Sequence, residues 1–206
     1  ELLAIQYKDN IATDLYELGA HYAKKLITQY PNRRIHLVGY SLGAYLAFEM
    51  AKVMMAQNIQ LSNLALVDAL PIKRSDQIFY ESVEEVNLFR KVLIEDYGIA
   101  EDKIHTLLDY INARQNSLLE LCNNYLTHGE IACPIVFFKA KQETPYLKNK
   151  FKNNADQLWE RHSSSNFIKY EVDGNHMNIF SSKHIKSFVD QYVDFLAIQR
   201  AGISKF

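Results

Sequence analysis

The sequence predicts an α/β fold with a mostly parallel, doubly wound sheet, and three observations support this prediction. Apolar segments of strand length alternate with amphipathic helical segments, so each helix can provide the crossover between two parallel strands. The apolar segments lack a strict period of two, as expected for strands that are covered on both faces. A Gly-X-Ser-X-Gly sequence, Gly39 to Gly43, lies between one such strand and a helix.

The elements follow one another in a regular order. A strand is predicted at residues 2–7 and a helix at about residues 13–30, whose apolar positions share one face and which Pro31 ends. Gly19 falls on that face, which a close backbone contact with the sheet would explain. The other predicted strands are Ile35–Tyr40, residues 64–69, Ile135–Ala140 and Phe167–Val172, and the other predicted helices are residues 42–57, 148–161 and 184–198.

The alternation stops between residues 72 and 129, where three helical patterns follow one another without an intervening strand. An all-helical insertion in an α/β chain commonly covers the catalytic edge of the sheet, so a lid is predicted, with a plain packing subdomain as the alternative. The apolar positions of the three patterns are Phe79, Val83, Val86 and Phe89, then Ile104, Leu107, Leu108 and Ile111, then Leu118, Leu121, Cys122 and Tyr125.

Composition narrows the class of function. With 206 residues, 48% of them hydrophobic, the chain can form one domain with a core. A formal net charge of -1 gives no electrostatic case for nucleic acid, and the apolar runs are too short to span a membrane. Cys122 and Cys133 form no disulfide framework and no secretory signal is visible, so a cytoplasmic location and a small-molecule or protein partner are expected.

Ser41 is the predicted nucleophile, because a strand, Gly-X-Ser-X-Gly and a helix in this order form the nucleophile elbow of an α/β-hydrolase. So tight a turn strains the serine backbone and should leave no room for side chains at Gly39 and Gly43. The backbone N–H of Leu42 is the expected first donor to an oxyanion, and the second donor is expected upstream of Glu1. A serine that only caps the helix is the alternative.

A serine hydroxyl needs a base, and a histidine base needs an orienting acid. His176 is the predicted base, because it lies in a glycine-containing loop after the last strand and fits the order Ser, acid, His. Asp68, at the end of the strand that follows the elbow helix, is the preferred acid. Glu143, in the loop after the strand Ile135–Ala140, is the alternative acid.

Several segments resemble the thioesterase domains that terminate animal-type fatty acid synthases, polyketide synthases and nonribosomal peptide synthetases, and most closely the fatty acid synthase type. The resemblance implies a serine thioesterase that hydrolyses an acyl chain from the phosphopantetheine arm of an acyl carrier protein in the same polypeptide, with no metal and no cofactor of its own. It also favours Asp68 over Glu143. The segments are LAIQY, TQYP, IHLVGYSLGAYLAFEMA, LALVDALP and VDGNHMNIF.

The resemblance further implies that the family's first strands and its oxyanion loop precede Glu1, so residues 1–206 are expected to form one N-terminally incomplete domain. A stand-alone editing (type II) thioesterase and a catalytically silent binding domain of the same fold are the alternatives. Because the family's carrier proteins are typically acidic, the lysine cluster Lys148, Lys150 and Lys152 is a candidate docking site for the carrier. A solvated helix start would explain these lysines equally well.

Overall fold

The fold is built around a four-stranded parallel sheet with the strand order β1-β2-β3-β4. The computed structural model describes residues 2–8, 11–72, 83–122, 124–144 and 155–201. The strands are Ile35–Tyr40 (β1), Leu61–Val67 (β2), Ile135–Ala140 (β3) and Phe167–Val172 (β4). The helices are Leu15–Gln29 (α1), Leu42–Ala56 (α2), Val83–Glu95 (α3), Glu101–Cys122 (α4) and Ile185–Arg200 (α5), with a 3₁₀ helix at Ala155–His162.

Both faces of the sheet are covered, as the sequence predicts. One face contributes Leu64, Leu66, Ile135 and Phe137 to a core that is completed by α1 and α2. The alternate residues Ala65, Val67, Val136 and Phe138 pack on the opposite face under Phe188 and Phe195 of α5. Because successive residues of β2 and β3 are buried on opposite faces, these strands read as continuous apolar runs. Full burial of a side chain such as Phe137 contributes about 1.5–3 kcal/mol.

Helix α1 begins where its sequence indicates. Asp14 is its N-cap, and Oδ1 of Asp14 accepts a hydrogen bond from the backbone N–H of Glu17 at 2.8 Å. The helix ends before Pro31. Gly19 makes the predicted close contact, but with α2 rather than with the sheet, because a Cβ at Gly19 would lie only 2.7 Å from Cβ of Glu49.

The prediction of a strand at residues 2–7 is wrong, because these residues pair with no strand of the described chain. Backbone groups of this segment form hydrogen bonds with the side chain of Tyr22 instead. The hydroxyl of Tyr22 donates to the carbonyl oxygen of Gln6 at 3.1 Å and accepts from the N–H of Lys8 at 3.2 Å. The hydroxyl of Tyr7 lies 2.8 Å from Oγ of Ser117, so the segment runs against α1 and α4.

The helical insertion between β2 and β3 contains two described helices rather than three. The second and third predicted patterns form the single helix α4, since no glycine or proline interrupts Glu101–Cys122. Phe79 of the first pattern lies outside the described residues. Ile104 and Leu108 of α4 pack against Leu93 of α3. The other end of α4, with Cys122, joins the core beneath α1 and α2.

The helix predicted at residues 148–161 is a 3₁₀ helix rather than an α-helix where the structure describes it. Residues 148–154 lie outside the described part of the chain, and Ala155–His162 is a 3₁₀ helix. It ends at a bridge to Ile131, whose N–H donates to the carbonyl oxygen of His162 at 2.9 Å. No helix among the described residues has the length and apolar character needed to cross a bilayer.

Candidate active site

The predicted catalytic residues meet at the carboxyl edge of the sheet. Ser41 follows β1, Asp68 follows β2 and His176 lies in the loop after β4. Backbone hydrogen bonds extend the sheet to this edge: the N–H of Ser41 donates to Val67 at 3.1 Å, and the N–H of Asp68 donates to Phe138 at 2.8 Å. Since the carboxyl ends of parallel strands share one edge, loops that are far apart in sequence converge here.

Ser41 has the strained backbone of a nucleophile elbow, with φ 52° and ψ -125°. A non-glycine residue in this region is unusual and is held there by its surroundings. Helix α2 begins at the next residue, yet the Ser41 side chain makes no capping hydrogen bond. Its Oγ lies instead 3.0 Å from Nε2 of His176. The alternative in which Ser41 serves only as a helix cap is therefore wrong.

The two elbow glycines are not equivalent. A Cβ at Gly39 would lie 2.4 Å from the carbonyl oxygen of Gly43 and 2.6 Å from Cα of Ala44, both of which are backbone atoms. A Cβ at Gly43 would meet nothing within 4 Å. The predicted lack of space is thus confirmed for Gly39 and wrong for Gly43.

We expect Gly39→Ala to lower the free energy of unfolding by about 3 kcal/mol or more, because the backbone atoms in its way cannot rotate aside. Gly43→Ala is the matched control. It should be neutral or stabilising by up to about 1 kcal/mol, since alanine is the better helix former. Urea denaturation of both variants measures the difference, and equal losses would contradict the contact geometry.

The acid beside His176 is Asp68. Its Oδ2 lies 2.8 Å from Nδ1 of His176, and its Oδ1 accepts a hydrogen bond from the N–H of Ala140 at 3.0 Å. The Asp68 side chain is 7% exposed and the His176 side chain 14%. A carboxylate at Nδ1 favours the tautomer whose Nε2 can accept the serine proton. Glu143, the alternative acid, is exposed in the loop after β3.

The loop that carries His176 is shaped by its own asparagines. Oδ1 of Asn175 accepts from the N–H of Met177 at 2.9 Å, and Oδ1 of Asn178 accepts from the N–H of Asn175 at 2.7 Å. Gly174 has φ 93°, and a Cβ there would lie 2.7 Å from Oδ1 of Asn178. These bonds fix the backbone on both sides of His176.

Three side chains that the sequence analysis did not single out support the site. The hydroxyl of Tyr40 donates to the carbonyl oxygen of His176, and the two rings lie 5.0 Å apart. The buried hydroxyl of Thr144 accepts from the N–H of His176 at 3.2 Å. Nε1 of Trp159 donates to the carbonyl oxygen of Ala69 at 2.7 Å, next to the proposed acid. Of these three residues, only Trp159 is conspicuous in the sequence, because it is the single tryptophan of the chain.

The electrostatics leave Ser41 rather than a cysteine as the candidate nucleophile. Burial raises the pKa of Cys122 and of Cys133 to about 12, so neither thiol ionises near neutral pH. Close to the site, a hydrogen bond from Lys141 holds the pKa of Asp173 below its usual value. The two side chains form an ion pair of 2.6 Å.

Leu42 is the first residue of α2, so its backbone N–H has no acceptor within the helix and lies next to Ser41. The lysines 148, 150 and 152 lie outside the described residues, and the docking site they were assigned stays a prediction.

Residues 1–196 match the family model described as the thioesterase domain. The chain belongs to this family. The resemblance drawn from the sequence motifs is thereby confirmed at the level of the family.

Individual relatives agree with this assignment. The chain is 26% identical to bacitracin synthase 3 of Bacillus licheniformis over 149 residues, which cover 72% of the chain but only 2% of that synthase. The thioesterase domain SrfTE, whose structure is described as the basis for cyclization of the lipopeptide antibiotic surfactin, has a TM-score of 0.66 at 17% identity, over 86% of this chain and 74% of that domain. The type II thioesterase BorB from the borrelidin biosynthetic cluster has a TM-score of 0.58 at 18% identity. The match covers 91% of this chain and 70% of BorB.

These similarities confirm the predicted α/β-hydrolase fold. The chain is a thioesterase domain, and the curated proteins it resembles include bacitracin synthase 3 and gramicidin S synthase 2. These relatives are not animal fatty acid synthases, the type that the sequence motifs had favoured.

Proposed function

We propose that this domain is a serine thioesterase that releases an acyl or peptidyl chain from the phosphopantetheine arm of a carrier protein. The observation that supports this most directly is the continuous hydrogen-bond chain from Ser41 through His176 to Asp68, with distances of 3.0 and 2.8 Å. The same geometry argues against a catalytically silent binding domain, because such a domain has no need of a strained serine aligned with a histidine.

In the proposed mechanism, Oγ of Ser41 attacks the thioester carbonyl carbon while Nε2 of His176 takes the hydroxyl proton. The tetrahedral intermediate collapses, the C–S bond breaks, and the departing thiolate takes that proton from His176. Water then attacks the acyl-serine, with His176 again as base, and the products are the free acid and Ser41. Asp68 stabilises the imidazolium that forms in each half-reaction. The N–H of Leu42 donates to the oxyanion.

The sequence motifs of the fatty acid synthase type support a fatty acyl chain as the substrate. The similarity to bacitracin synthase 3 suits a peptidyl chain instead. The apolar faces of the insertion do not decide between them, because Ile104 and Leu108 are used in packing against Leu93. We further propose that the insertion serves as a lid, since its α3 end contacts the loop of His176.

The test compares acyl groups loaded on a carrier protein. We expect the purified protein to release a long acyl or peptidyl chain at least about tenfold faster than acetyl, with the free acid measured by mass spectrometry, because chain release depends on recognition of the grown chain. Faster release of acetyl would instead support the editing role. Labelling by a fluorophosphonate without cleavage of any carrier-bound thioester would contradict the proposed substrate class.

A further inference from the structure

The geometry points to Asp96 and Tyr97, in the turn after α3, as positioning residues that hold the loop of His176 in register with Ser41. This inference rests on the proposed function, since it assigns to the insertion a part in aligning the proposed base. The two residues belong to the helical insertion, whereas His176 lies beyond β4. The contacts between them therefore join two segments that lie far apart in the sequence.

Tyr97 contacts the residue after the proposed base. Its hydroxyl donates to the carbonyl oxygen of Met177 at 3.1 Å. The Tyr97 side chain is not part of the core, since the residue is 37% exposed. Removal of this hydroxyl should therefore disturb the loop more than it disturbs the stability of the domain.

Asp96 reaches the same loop through Asn178. Its Oδ2 accepts from Nδ2 of Asn178 at 2.8 Å, and its Oδ1 accepts from Nζ of Lys183 at 2.5 Å. The hydrogen bond from Lys183, and to a smaller extent the one from Asn178, holds the pKa of Asp96 below its usual value. This carboxylate is therefore charged at neutral pH. Oδ1 of Asn178 in turn accepts from the N–H of Asn175, immediately before His176.

The turn that presents both residues has a defined geometry. The N–H of Gly98 donates to the carbonyl oxygen of Ile94 at 3.2 Å, and the N–H of Ile99 donates to that of Leu93 at 3.0 Å. Gly98 has φ 68°, as glycine commonly has where a helix ends. Asp96 and Tyr97 are thus fixed relative to α3, and a displacement of α3 would be transmitted to the loop.

The loop of His176 is held from two sides. Tyr40 and Thr144 bind His176 itself from the elbow and from the loop after β3. Asp96 and Tyr97 bind its flanking residues from the insertion. Without the contacts of Asp96 and Tyr97, the loop stays attached through Tyr40 and Thr144, but His176 is less well aligned with Ser41. A misplacement of a catalytic group by about 1 Å can lower the rate about a hundredfold.

The experiment uses Tyr97→Phe and Asp96→Asn, with Tyr110→Phe as the matched control. Tyr110 is a half-exposed tyrosine of α4 whose hydroxyl accepts from Gln6, away from the loop of His176. For each variant, the rate of fluorophosphonate labelling, and kcat and KM for a short soluble thioester, are measured well below its melting temperature. We expect labelling and kcat to fall about fivefold for Tyr97→Phe and tenfold for Asp96→Asn, from the strength of neutral and charged hydrogen bonds, with KM within about twofold.

Rates that match the wild type in both variants would overturn the proposal, as would an equal loss in Tyr110→Phe. A residue with a purely structural role would change the melting temperature while leaving the reactivity of the folded protein intact. Labelling requires no thioester substrate, so it also separates the two hypotheses. A protein that is labelled but cleaves no thioester would contradict the proposed function, whereas the comparison of labelling rates would still test the role of Asp96 and Tyr97.

Discussion

Replacing Ser41 with alanine should abolish both thioester hydrolysis and labelling by a fluorophosphonate. Its Oγ is the hydroxyl that lies 3.0 Å from Nε2 of His176, and without it the proposed acyl-enzyme cannot form. In the subtilisin precedent, removal of the nucleophile costs about six orders of magnitude in kcat. Turnover of a soluble acyl thioester and the mass of the labelled protein measure the two effects.

Ser165→Ala is the control for this prediction. Ser165 is an exposed serine that precedes β4, so its loss should leave both the labelling and the turnover unchanged. Substantial turnover by the Ser41→Ala protein would exclude the covalent mechanism. Loss of activity in both serine variants would instead indicate a general effect on the fold.

Replacing Asp68 with asparagine should lower kcat by about four orders of magnitude, the cost of the wrong histidine tautomer in the protease precedent. The asparagine can still accept the hydrogen bond that Ala140 donates to Asp68, so the fold should persist. Its amide group, however, would donate to Nδ1 of His176. The proton would then move to Nε2, which could no longer accept from Ser41.

Glu143→Gln is the matched variant for the alternative acid. Because Glu143 is exposed whereas Asp68 contacts Nδ1, we expect this change to leave kcat within about twofold. Steady-state kinetics on a soluble thioester compare the two variants. A larger loss for Glu143→Gln than for Asp68→Asn would reverse the assignment of the acid.

Much of the sheet could be predicted from local sequence. The strands Ile35–Tyr40, Ile135–Ala140 and Phe167–Val172 have the predicted bounds, because each is a short segment rich in apolar and aromatic residues that ends at a polar or glycine-containing turn. The strand predicted at residues 64–69 is present but spans Leu61–Val67. It therefore begins earlier and ends one residue before Asp68. The elbow was predictable because its motif has a specific strand-and-helix context.

The remaining features depend on contacts between distant segments. A strand at residues 2–7 needs a partner strand, and a local apolar pattern does not show that Tyr22 satisfies the backbone groups instead. The hydroxyls of Tyr40 and Tyr97 meet the loop of His176 from different elements, and neither tyrosine stands out in the sequence. Helical periodicity located apolar faces in the insertion but could not show that α3 and α4 bury them against each other.

The acyl-enzyme itself gives the most direct test of the central claim, that Ser41 accepts the acyl group of a thioester. The protein is mixed with a soluble acyl thioester and quenched in acid within the first turnover, and its peptides are mapped by mass spectrometry. The proposed mechanism predicts the added mass of the acyl group on Ser41, and none on the Ser41→Ala protein. An acyl group on another residue, or hydrolysis at full rate by the Ser41→Ala protein, would contradict it.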